Sequence, residues 1–243
     1  MRVYADYHTH TYYSHAKGSV EENVKSAIKA NLKEIGIAEH GPKTLFVGVS
    51  AKRFEKIYRE IELLRDKYPE IKILFNIEAN LLDYDGNIDV PPSVRSKLDM
   101  LLLGFHPNIV PSSKGFGLVF NNLLSRKLGV RKEETRMLNT KSLINAIRKN
   151  SIDLITHPGH KIDVDTKELA KACAQTNTAL EINCKHGLKV KDFVDIAKTE
   201  GVKFILSTDA HHPKEVGEFS KGIKIVNQLN IPNEMILNVE GGN

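Results

Sequence analysis

The stretch Val3–His10 reads VYADYHTH, and it changes character partway along. Val3–Tyr7 is rich in aromatic and β-branched residues and reads as a short strand. His8 and His10 close that strand with one residue between them. Residues i and i+2 of a strand point to the same side, so both imidazoles can reach one metal ion. An HxH pair also occurs by chance in loops, so its meaning depends on what recurs downstream.

Six further strand-like runs follow: Glu34–Ala38, Lys72–Ile77, Leu98–Leu103, Asp153–Thr156, Ala179–Ile182 and Phe204–Ser207. Helical patterns separate most of them, over Val20–Asn31, Ala51–Tyr68, Lys141–Asn150, Thr166–Thr176, Val190–Glu200 and Gly222–Leu229. Ser19 and Glu22 are spaced as a capping box at the first of these. Strand–helix alternation of this kind predicts an α/β fold on a mainly parallel sheet, open or closed into a barrel. The chain has 243 residues without a linker-like tract, which is expected to form one domain over 1–243.

Composition narrows the class. With 41% hydrophobic and 27% charged residues the chain reads as globular rather than disordered. No apolar run is long enough to span a membrane and no secretory signal is visible, so no membrane partner is expected. Two cysteines, Cys173 and Cys184, cannot build a disulfide framework, and a cytoplasmic location is expected. The net charge of +5 is mild, but it is uneven. Pro107–Asn139 holds Lys114, Arg126, Lys127, Arg131, Lys132 and Arg136 against only Glu133 and Glu134. Apart from a short helix near Leu118–Leu128, that segment shows no clear periodicity. It is expected to be either a lid over an anionic substrate or an oligomer contact.

The histidines follow the strands. His15 lies in the loop after the first strand and His40 after the second. Glu78 comes after the third, His106 after the fourth, His157 after the fifth, and Asp209 and His211 after the seventh. In a parallel α/β barrel those strand ends converge on one face, where active sites form. Any one of these residues alone could be an ordinary surface or core side chain. Nine at strand ends together predict a metal centre.

Eight short motifs now carry a resemblance: HTH at His8–His10, SHA at Ser14–Ala16, EHGP at Glu39–Pro42, IEAN at Ile77–Asn80, GFH at Gly104–His106, THPG at Thr156–Gly159, LEIN at Leu180–Asn183 and TDAH at Thr208–His211. In order and spacing the chain resembles the PHP (polymerase and histidinol phosphatase) family, and among its members the stand-alone bacterial phosphatases of the YcdX type. The resemblance implies a distorted, TIM-barrel-like (β/α)7 barrel, the PHP fold. It also implies a trinuclear site for divalent zinc, manganese or iron. His8, His10, Glu78 and Asp209 would hold one ion, Glu78 as a bridge with His106 and His157 a second, and His15, His40 and His211 the third. One departure is Glu39, where relatives often carry aspartate before the histidine; it could still orient His40.

A site of this kind implies a metal-dependent hydrolase of phosphate esters. Three divalent ions outweigh two carboxylates, so the pocket attracts phosphate, and a hydroxide bridging two ions would attack phosphorus. Glu78, Asp209 and His211 are the catalytic candidates. Lys43, His160, Lys185, His186 and His212 are candidates for binding substrate or protonating the leaving group. The expected partner is a small phosphomonoester. Histidinol phosphate, and a nucleic acid cut by a nuclease-type phosphodiesterase, are the alternatives, and a homo-oligomer stays open. Cys184 reads as a small buried residue, not a nucleophile.

Overall fold

Seven strands and eight α-helices alternate along the computed structural model, which describes residues 1–241. In chain order they are β1 (Ala5–Thr9), α1 (Val20–Lys29), β2 (Glu34–His40), α2 (Ala51–Lys67), β3 (Lys72–Asn80), α3 (Pro92–Arg95), β4 (Met100–Gly104), α4 (Phe116–Leu128), α5 (Lys132–Lys149), β5 (Leu154–Ile155), α6 (Thr166–Thr176), β6 (Ala179–Asn183), α7 (Lys191–Ala197), β7 (Phe204–Ser207) and α8 (Ser220–Gln228). The sheet order is sequential, β1 to β7, and every pairing is parallel. A parallel bridge between Thr9 and Ala210, with the His10 amide donating to the Ala210 carbonyl at 2.9 Å, brings β7 back against β1. The sheet thus curls almost into a closed barrel, the distorted (β/α)7, TIM-barrel-like architecture expected from the sequence.

Two apolar layers hold it. A large cluster fills the space between sheet and helices, with Ile35, Ile73, Phe75 and Ile77 meeting the inner faces of the helices. On α2 the buried stripe is Phe54, Ile57, Ile61 and Leu64, the spacing of one helical face. Burial of each such side chain contributes about 1.5–3 kcal/mol. A smaller cluster takes residues from every strand: Ala5, Tyr7, Ala38, Leu74, Leu102, Leu154, Ala179 and Ile205. This is the filling of the barrel interior. Strand residues two apart share a face, so the next layer toward the C-terminal end is His40, Asn76, Gly104, Thr156, Glu181 and Ser207, with Glu78 above Asn76. The apolar layer is thereby the floor of a polar cup.

Boundaries differ from the sequence expectation in one systematic way. The first strand lies two residues later, at Ala5–Thr9, and β2 and β3 run on to His40 and Asn80. His8, His40 and Glu78 therefore lie within strands rather than after them. Buried polar side chains do not read as strand in a hydrophobicity pattern, yet the backbone ladder continues beneath them.

Pro107–Asn139 is also more regular than expected. It holds all of α4 and the start of α5, joined at Gly129, whose φ of +69° closes the first helix. Buried Asn122 and Asn139 bond each other across the two helices at 2.7 and 2.9 Å. That polar contact masked the apolar period. The capping box at α1 is present as expected, between Ser19 and Glu22.

Candidate metal centre and its cavity

Glu78 sits at the centre of the cup, fully buried. Its partner in the β2–β3 ladder is His40, and parallel in-register neighbours point the same way. Hence His40 Nδ1 lies 2.7 Å from Glu78 Oε2. The other carboxylate oxygen, Oε1, is 2.9 Å from His157 Nε2, 3.4 Å from His106 Nε2 and 3.6 Å from His8 Nε2. Thr156 donates its hydroxyl to the same oxygen at 2.7 Å. Gly104 makes room: a Cβ there would fall 2.4 Å from His106 Cε1 and 2.9 Å from Glu78 Oε1.

The second half gathers on Asp209. Its Oδ1 is 3.5 Å from His10 Nε2, 3.9 Å from His8 Nε2 and 3.3 Å from His211 Nδ1. His15 is the outermost of the nine, its ring centre 4.4 Å from that of His211 and 5.0 Å from that of His40. All nine residues singled out in the sequence therefore meet in one place. The donor atoms of six of them fall into three overlapping groups: His8, His10 and Glu78; His10, His40 and His211; and His40, Glu78 and His106. The grouping departs from the implied one, because His10 rather than His15 stands with His40 and His211. His157 and Asp209 both have positive φ, 29° and 51°, a strained conformation of the kind that collects at functional sites.

The residues fit metal ions. His10 Nδ1, His40 Nδ1 and Glu78 Oε2 are buried without a hydrogen-bond partner. The 2.7 Å approach of the last two is close but not aligned as a hydrogen bond. An unsatisfied buried polar atom costs about 1–3 kcal/mol, so His40 Nδ1 and Glu78 Oε2, side by side, call for a further ligand, while His10 Nδ1 faces Glu39 at 3.9 Å. Two of the histidines are also held ready as neutral ligands. Burial, then the neighbouring charge of His10, pushes the pKa of His40 and of His211 down to about 3, so both are neutral at pH 7 with a lone pair free. Burial opposes ionisation of Glu78, but His106 and His8 outweigh it and hold the carboxyl well below its usual range. Asp209 is likewise held low, burial being outweighed by its contacts to His10 and His8.

Sequence reading missed the carboxylate of Glu181. It is fully buried on β6, two residues beyond Ala179 of the floor. Oε1 accepts from His8 Nδ1 at 2.7 Å, and Oε2 accepts the His157 amide at 2.6 Å and Asn183 Nδ2 at 3.0 Å. The visible signal was a charge inside the apolar run ALEIN. Asn80, whose Oδ1 accepts from His106 Nδ1 at 2.8 Å, was missed in the same way. Glu39 does not orient His40. It accepts from the Thr11 amide at 2.8 Å and from the hydroxyls of Thr11 and Ser14, with His10 Nδ1 3.9 Å away. The reason is alternation: next to His40 in β2, it faces the opposite side of the strand.

A cavity of about 430 Å³ opens over the metal-ligand candidates. His160, Lys185 and His186 line it, joined by Lys161. Lys185 Nζ is 2.8 Å from His211 Nδ1 and 3.8 Å from Asp209 Oδ2. Lys43 and His212 do not line it. The amide of Lys43 is fixed to Asp89 at 2.8 Å, and His212 Nδ1 accepts the Lys214 amide at 3.3 Å. From the basic segment only Pro107 and Asn108 reach the rim. Arg131 pairs with Glu134, and Arg136 with Glu133 and Asp165, so the lid expectation is not met by these arginines. Both cysteines are buried, and burial raises the Cys173 thiol to about 12 and Cys184 further, which fits inert packing. None of the helices is long and apolar enough to cross a membrane among the described residues.

Comparison with known proteins finds relatives along nearly the whole chain. The family model described as PHP domain matches residues 6–209. A probable phosphatase of Thermoanaerobacter sp. is 29% identical over 252 aligned residues, covering 100% of this chain and 93% of the relative. A probable phosphatase of Proteus mirabilis is 30% identical over 243 residues, covering 96% and 89%. Among solved structures, the histidinol phosphate phosphatase of Lactococcus lactis, complexed with zinc, L-histidinol and phosphate, aligns with a TM-score of 0.63 at 16% identity over 94% of each chain. A putative histidinol phosphatase from Listeria monocytogenes gives 0.68 at 17% identity, over 88% of this chain and 97% of that one. At these identities the two structures speak for the fold alone.

Proposed function

This chain belongs to the PHP domain family, and on that premise we propose that it is a metal-dependent phosphatase acting on a small phosphomonoester. The observation that carries the reading is Glu78, which touches His8, His40, His106 and His157 while its Oε2 stays unsatisfied. His8, His10, His15, His40, Glu78, His106, His157, Asp209 and His211 would hold up to three divalent ions. Imidazole and carboxylate together suit zinc, manganese or iron. Such ions would supply Lewis acidity and an acidified water.

The protein's own groups do the rest. Lys161 and Lys185 line the cavity and place ammonium groups where a phosphoryl group would lie. Glu181 and Asn80 hold His8 and His106 in one tautomer each. His160 and His186 stand at the outer wall, where a leaving-group oxygen would be protonated. The cavity of about 430 Å³ is of a size to take a small ester, which favours a monoester over a nucleic-acid strand.

A substrate panel tests this. Purified protein loaded with zinc, manganese or iron is assayed on sugar phosphates, nucleotides, histidinol phosphate and single-stranded DNA. Phosphate release from one monoester class, dependent on metal, is expected. Cleavage of DNA alone, or no phosphate released with any metal, overturns the reading.

A further inference from the structure

Phe46 is the oddest residue of the cavity. It lines the mouth, yet its side chain is 100% exposed and its φ is +68°. An aromatic side chain gains nothing from that position in water, and an L-residue pays a steric cost for the left-handed conformation. Glycine or asparagine ordinarily occupies such a place. The strain is not the slack of a loose loop. Thr44 and Ile109, both buried, form an antiparallel bridge, flanked by Leu45 N to Asn108 O at 2.9 Å and Val110 N to Lys43 O at 2.8 Å. Val49 N returns to His40 O at 3.2 Å and Gly48 N to Thr44 O at 3.0 Å. Six residues after His40, the tip is therefore held by the segments that leave two of the metal-ligand candidates, His40 and His106.

Elsewhere in the same cavity His160 and His186 form a flat stack, 3.8 Å between ring centres and 18° between planes. Leu45, Val47 and Phe105 add apolar surface. The volume of about 430 Å³ exceeds what a phosphoryl group alone requires.

We propose that Phe46 is a specificity-determining residue that covers the leaving group of the substrate, and that the substrate class is phosphomonoesters with a flat, apolar or aromatic leaving group. This rests on the phosphatase reading above. Binding such a group would bury the ring that water now surrounds, and the strained, tethered tip holds it ready without a loss of loop entropy.

The test compares variants on two esters. Phe46→Ala should raise KM for p-nitrophenyl phosphate about tenfold with kcat nearly unchanged, and leave glycerol phosphate within about twofold. The variant-to-wild-type ratio removes the difference in leaving-group reactivity. Phe46→Asn should lose the same selectivity with a melting temperature no lower than wild type, because asparagine tolerates the left-handed region. Competition by phenylphosphonate against methylphosphonate gives the same comparison without turnover. Equal loss on both esters, no change on either, or a marked fall in melting temperature overturns the proposal while leaving the phosphatase reading standing. A wild-type protein that hydrolyses neither of these esters overturns the proposal, and one that releases phosphate from no ester of the wider panel overturns the phosphatase reading as well.

Discussion

His8 on β1 donates its Nδ1–H to Oε1 of Glu181 on β6 at 2.7 Å, and this contact fixes which face of the imidazole looks into the cup. With Nδ1 committed, Nε2 is the atom that faces His10 Nε2, 3.0 Å away, and Glu78, and it would meet a metal ion once it gives up its proton. Burial works against the imidazolium of His8, but Glu181 and Glu78 outweigh it and raise its pKa well above the usual histidine value. Glu181→Gln should therefore weaken metal affinity about 10–100-fold with little change in secondary structure. Calorimetric titration of the metal into each protein measures this. Wild-type affinity in the variant would remove Glu181 from any positioning role.

Glu78→Gln should abolish measurable turnover. The amide keeps the size but loses the charge that five histidines share. Glu62→Gln, which alters only an exposed pair with Arg65 on α2, should leave the rate within about twofold. A near-normal rate in Glu78→Gln would sink the shared-carboxylate site.

Chelated protein should be most stable near pH 6.5. The pKa values of His15, His40, His160, His186 and His211 are lowered from 6.5, burial being the first cause in each. Below pH 6.5 the unfolded chain binds more protons at these five, so stability falls with acid. Glu78 and Asp209, held low, lose their contribution in the same direction. Raised carboxyls such as Asp6, lifted to about 6 by burial, oppose this but are fewer. His8, His10 and His157 are raised. Their stabilisation is full below pH 6.5 and is lost as pH rises through their folded pKa. Metal requires deprotonated ligands, so loaded protein should shift its optimum upward. Melting temperatures with and without chelator from about pH 5 to 9 check both; coincident curves would show that no ion binds here.

Changing Arg126, Arg131 and Arg136 together to Gln should leave KM within about twofold. Charge along the sequence alone suggests the opposite, a lid. The expected loss is in stability, about 0.2–1 kcal/mol, from the Arg136 pair with Glu133 within α5 and its pair with Asp165, which ties α5 to the start of α6. A large rise in KM that shrinks with salt would restore the lid.

The linear sequence by itself determined the strand–helix alternation and the convergence of nine ligand-type residues. Strand ends in a parallel barrel meet by geometry, so HTH, EHGP and TDAH could be placed on one face without coordinates. It left open whatever depends on which face of a strand a residue takes and on contacts between distant segments. Glu39 and His40 are adjacent in sequence, yet they point oppositely, and only the ladder shows that His40 goes to Glu78 and Glu39 to Thr11 and Ser14. Glu181 and His8 stand 173 residues apart, and no local pattern pairs them. Arg131 and Arg136 found acidic partners once the helices formed, which a count of charges cannot register. Nothing in the sequence singles out Phe46, because exposure and a positive φ are properties of the folded chain, decided by where β2 and β4 release their loops and how those loops pair.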